Sequence, residues 1–73
     1  MAKPNWVLND SNFDTALTNE GITLYALASR IGSGIWRLRQ ILKHAMHPPK
    51  RYRDAMATAL STTHNTLFTD LND

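Results

Sequence analysis

No cysteine occurs among the 73 residues, so neither a disulfide framework nor thiolate chemistry is available to the chain. No apolar run reaches the roughly 20 residues of a membrane span, and no basic start followed by an apolar stretch marks a signal peptide. A cytoplasmic protein is the simplest expectation. No glycine-rich phosphate loop, serine-nucleophile signature or pair of helically spaced acids on an apolar wall is present, so an enzyme with a small-molecule substrate is not expected. His44 and His47 have a spacing that can suit a metal. Neither an acid nor a third histidine lies near them in sequence, and Pro48 stops the helix just beyond, so no metal and no cofactor is expected.

Repeats and low-complexity tracts are missing too. What remains is one small domain, 42% hydrophobic and 19% charged, near the lower size limit for a self-sufficient core. Its net charge of +2 hides an asymmetry. Residues 30–54 hold seven basic side chains (Arg30, Arg37, Arg39, Lys43, Lys50, Arg51, Arg53) and the single acid Asp54, for +6. The remainder holds Lys3 and five acids, for −4. A basic middle of this kind suits a polyanion or an acidic protein surface.

Five short helices are expected and no strand, an all-α bundle. Residues 1–11, with Pro4 and an Asn-Asp-Ser run, read as an extended arm, leaving 12–73 as the domain. Ser11 and Asp14 fit a capping box, with Phe13, Ala16 and Leu17 recurring on one face and Gly21 ending the helix. Thr23 can cap a second helix that buries Leu24, Leu27, Ala28 and Ile31. After Gly32-Ser33-Gly34 a third helix over 35–44 turns Leu38, Ile41, Leu42 and Ala45 inward. Pro48-Pro49 starts a fourth, with Tyr52, Ala55, Met56, Ala59 and Leu60 as its stripe. Thr62 or Thr63 caps a last helix carrying His64, Leu67, Phe68 and Leu71 on one side.

Two helices joined by a tight turn need a small residue at their close approach and one tolerant of positive φ between them. Ala28 and Gly32 meet those needs, placing a helix-turn-helix at about 24–44. Over residues 13–68 the chain resembles the lambda-repressor and Cro-like helix-turn-helix family. The resemblance is carried by Thr23-Leu24-Tyr25-Ala26-Leu27-Ala28-Ser29-Arg30-Ile31-Gly32, Leu38 and Ile41, a proline before helix four, Ala57-Thr58-Ala59-Leu60 and Leu67-Phe68. It implies a compact lambda-repressor-like domain, commonly dimeric, that binds double-stranded operator DNA and controls a phage lysis–lysogeny switch in a bacterial host.

Two departures from the family pattern stand out. Ser33 and Gly34 replace an apolar residue and a hydroxyl cap, and glycine supplies no side-chain acceptor. Ile35 and Trp36 replace polar base-reading residues. At about 100° per residue Ile35 lies near the core boundary, whereas Trp36 points away from the Leu38–Ile41–Leu42 stripe. Three readings of Trp36 stay open: contact with a thymine methyl, an anchor in a protein interface, or burial under Tyr52 or the arm. An exposed Trp36 favours a protein partner first, and a buried one favours DNA.

On DNA, Gln40 can pair with adenine and Arg39 with guanine or phosphate, while Lys43, Lys50, Arg51 and Arg53 meet phosphates, with Arg37 beside them. Half-sites about 34 Å apart would require a homodimer. Leu67, Phe68 and Leu71, or Trp6-Val7-Leu8, are candidates for its surface, with core closure the competing reading and the preferred one for Leu67. The alternative is an antirepressor that docks Ile35, Trp36 and Arg39 on a phage repressor's DNA-binding domain and blocks it.

Overall fold

Helix starts and stops explain most of the architecture. In the computed structural model, which describes residues 5–72, the order is β1 (Trp6–Leu8), α1 (Asp10–Glu20), α2 (Leu24–Arg30), α3 (Ile35–Leu42), α4 (Lys50–Ala59), α5 (His64–Leu67) and β2 (Phe68–Asp70). Residues 1–4 of the expected arm, including Lys3 and Pro4, and the terminal Asp73 lie outside the described residues. Thr23 caps α2 as its sequence context demands, its Oγ1 accepting from the Ala26 amide at 3.1 Å. Thr63 does the same for α5, accepting from the Thr66 amide at 3.2 Å.

The five helices stand and the fold is mostly helical, but a small two-stranded sheet joins them and corrects the expectation of no strand. β1 and β2 pair antiparallel with Trp6 opposite Asp70, Val7 opposite Thr69 and Leu8 opposite Phe68. The arm boundary at residue 11 is therefore also corrected. The Asn9 amide donates to the Leu67 carbonyl at 2.7 Å, which holds the chain extended up to the helix. α1 then starts at Asp10, with the Asn9 side chain rather than Ser11 as its cap, accepting from the Asn12 amide at 3.0 Å.

Three helices close in the same way. At the ends of α2, α3 and α4, the residues Gly32, His44 and Ser61 take φ of 67°, 61° and 54°. The amides that follow reach back across the last turn: Ser33 to the Ala28 carbonyl, Ala45 to Gln40 and Thr62 to Ala57, at 2.9, 2.9 and 3.0 Å. These are Schellman closures, which satisfy carbonyls that a helix end leaves free. Only the first uses glycine. A side chain in the left-handed region costs about 1–2 kcal/mol, and Ser61 is exposed. Ser61→Gly is therefore expected to stabilise the fold by about 1 kcal/mol, read as a shift of the urea midpoint with unchanged slope.

The core lies where the helices converge on the sheet. Leu27, Leu38, Ile41, Met56, Leu67 and Phe68 are its fully buried side chains, joined by Leu8, Phe13, Ala16, Ala28, Ala57 and Leu60. Met56, Ala57 and Leu60 form the buried stripe of α4, while Tyr52, Ala55 and Ala59 sit half-buried beside it. Ala45, expected inward on helix three, is exposed because α3 ends at Leu42. Among the described residues no helix is long and apolar enough to cross a membrane.

Candidate functional site

α3 follows α2 across a turn whose geometry needs Gly32 at positive φ. Its cap is Gly34, which makes no side-chain hydrogen bond, so the first-turn amides of α3 are left open, as its lack of an acceptor requires. Leu38 and Ile41 fasten the helix to the core. Ile35 and Leu42 flank them half-buried, where the helical wheel places Ile35.

The opposite face is open. Trp36 is 66% exposed in its centre, which removes the reading that buries it under Tyr52 or the arm. Arg39 and Gln40 lie one turn on from Trp36, and Lys43 lies two turns on, so the four form one stripe. Arg39 extends this stripe sideways to α2. Its Nη2 donates to the Tyr25 hydroxyl at 3.0 Å, and its guanidinium carbon lies 5.6 Å from the centre of that ring. Tyr25 is itself 61% exposed. Arg37 leans the other way, its guanidinium carbon 5.5 Å from the Tyr52 ring centre on α4. The Tyr52 hydroxyl donates to Ser33 Oγ at 2.7 Å, which fixes that ring against the α2–α3 turn. Beyond Tyr52, the residues Ile31, Arg37, Pro49, Arg51 and Ala55 complete an open groove of about 260 Å³ between α3 and the start of α4.

The basic middle divides into working parts. Arg30 donates to the Ala59 carbonyl at 3.0 Å and sits 3.6 Å from Glu20, so it ties helix ends together. Arg53, expected on phosphate, is half-buried and spent internally. Its Nη1 donates to the Pro48 carbonyl and its Nε to His64 Nε2, both at 2.9 Å. Lys50 bonds Asp54 at 2.8 Å, and that bond holds the Asp54 carboxyl below the ordinary carboxylate range. Arg37, Arg39, Lys43 and Arg51 remain, all exposed and, among the described residues, none paired with a carboxylate. Both histidines near the α3 end are exposed; His44 donates from Nε2 to the Asp10 carboxylate at 3.0 Å, pinning that loop to α1.

No protein-family model, curated protein or solved structure matches the chain.

The suggested dimer surface does not hold together. Leu67 and Phe68 are buried to 0% and 1% exposure, and Leu8 at the end of β1 is buried too, because the β1–β2 pairing folds this edge into the core. Leu71 alone of the C-terminal three stands out, 63% exposed just past β2. Tyr25, exposed and in contact with Arg39, is the residue of this candidate face that sequence reasoning missed. Its signal was present, since the inward positions 24, 27, 28 and 31 leave position 25 on the outside.

Proposed function

We propose that the protein is a helix-turn-helix transcriptional regulator of the phage-switch kind that acts through α3 on double-stranded operator DNA. The observation that carries this is the outward face of α3 with Arg51 nearby: a glutamine and four cations that, among the described residues, have no carboxylate partner. A helix with this charge, presented across a tight turn, suits the negative walls of the major groove. Arg37, Lys43 and Arg51 meet phosphates, and Gln40 offers a donor and an acceptor to adenine.

A second reading is favoured by Trp36 and Tyr25, since tryptophan, tyrosine and arginine are the side chains that dominate protein interfaces. Exposure alone would put that reading first. Charge reverses the order. A repressor's DNA-reading face is itself basic, so docking α3 over it would set like charges together, at a cost of several kcal/mol. Blocking a repressor this way therefore requires an acidic rim on the partner.

The test is anisotropy titration of a labelled random-sequence duplex across a salt series. Binding is expected to weaken linearly in log–log form as salt rises, and Lys43→Ala and Arg51→Ala should each flatten the slope by about one. A salt series identical for wild type and both variants would sink the DNA reading. If binding were instead to an acidic protein, Trp36→Ala would cost about 2 kcal/mol or more of that affinity with helicity intact.

A further inference from the structure

We infer that α3 is an A·T reader: Trp36 contacts the methyl group of thymine, while Tyr25 and Tyr52 draw the helix's two arginines off the bases. This rests on the DNA reading proposed above and names the base class that the same face selects.

Arginine is ordinarily the guanine reader, because its planar fork matches O6 and N7 in the major groove. Here neither arginine of α3 projects along the centre of the outward face. Arg39 is drawn toward α2 by the 3.0 Å bond to Tyr25, and Arg37 toward α4 by the ring of Tyr52. Tyr52 is anchored in turn by its 2.7 Å bond to Ser33. The two guanidiniums thus spread to opposite flanks of α3, where a helix lying in the groove meets the two phosphate walls.

Between them α3 itself presents Trp36, exposed, and Gln40, half-buried, with Lys43 just past the last residue of the helix. The thymine C5 methyl is the apolar group on the major-groove edge, and it is the feature that an exposed indole can recognise there. Gln40 stands four residues on, about 6 Å along the helix axis, which spans roughly two base-pair steps. A glutamine matches adenine N6 and N7. The central pair therefore addresses a thymine and an adenine about two base-pair steps apart. Ile35, half-buried beside Trp36, adds apolar surface and no donor.

The experiment is selection of the whole protein on a randomised duplex pool at low salt, followed by replacement of thymine with deoxyuridine in the enriched duplex. Deoxyuridine keeps the pairing and removes only the methyl. Wild type is expected to enrich an A·T-containing site and to lose about fourfold in affinity on the critical thymine-to-deoxyuridine change, the worth of one buried methyl. Trp36→Ala should bind the two duplexes equally, and Trp36→Phe should keep the preference. Tyr25→Leu, which frees Arg39, should admit guanine at a flanking position. Circular dichroism verifies that each variant remains helical. A guanine-rich consensus lost in Arg37→Ala or Arg39→Ala overturns the inference while leaving DNA binding intact. So does equal wild-type affinity for the thymine and deoxyuridine duplexes. Failure to enrich any duplex overturns the DNA reading itself.

Discussion

Phe68→Ala is expected to destabilise the fold by about 3–5 kcal/mol, the usual cost of emptying a buried phenylalanine site. A chain of this length has only about 4–11 kcal/mol to lose, so much of the population would unfold at ordinary temperature. Two partners, Leu8 and His64, meet Phe68 directly. It sits at 1% exposure, faces Leu8 across the β1–β2 ladder, and stacks on His64 with centroids 5.4 Å apart. His64 in turn meets the edge of Trp6 at 4.6 Å. Urea unfolding at two protein concentrations checks the outcome. A core residue gives the same loss at both, whereas a dimer surface would make the loss depend on concentration. Leu71→Ala, at an exposed position, should stay within about 0.5 kcal/mol of wild type.

Arg53→Met is expected to remove about 2 kcal/mol of stability. Hydrogen bonds that involve a charged group contribute about 1.5–3 kcal/mol, and Arg53 makes two of them from a half-buried position. The pair of bonds fastens the loop before α4 to the start of α5. Because Arg53 Nε donates to His64 Nε2, that imidazole carries its proton on Nδ1, which donates to Asn65 Oδ1 at 2.7 Å. Arg51→Met provides the contrast. It should leave the urea midpoint in place and weaken DNA binding, because Arg51 is exposed and has no carboxylate partner among the described residues. Equal stability of the two variants would overturn the internal role of Arg53.

The pair also shows what a linear sequence displays and what it hides. Lys50-Arg51-Tyr52-Arg53 reads as one basic run, yet its three cations have three different employments. The partner of Arg53 is eleven residues away on another element, and no local pattern signals it. Helix interiors were legible because their apolar spacing is local, as were the Thr23 cap and the left-handed Gly21. The α3 end was not. It stops at a histidine in a conformation usually marked by glycine, so periodicity carried the expected helix two residues too far. The strands were invisible for another reason. Three residues cannot establish a two-residue alternation, and Trp6 pairs with Asp70, on the far side of all five helices in the sequence.

On the outward face of α3, the stripe of Trp36, Arg39, Gln40 and Lys43 followed from helical spacing alone. Whether Trp36 was covered did not, because a helical wheel shows direction and not neighbours. Nor did the two tyrosines that redirect the arginines, since Tyr25 and Tyr52 come from the preceding and following helices.

The sheet carries a topological consequence. The Leu71 amide donates to the Asn5 carbonyl at 3.0 Å, so the two ends of the described chain lie one hydrogen bond apart. The fold is in effect a ring of helices that happens to be cut at this edge. Closing such a ring of some 60 residues costs about 3–4 kcal/mol of chain entropy, and the natural chain meets that cost anew each time it folds. A circularly permuted version, joined by a short peptide between these ends and reopened in the exposed turn at Ser61, would retain the helix packing while beginning with its farthest contact already made.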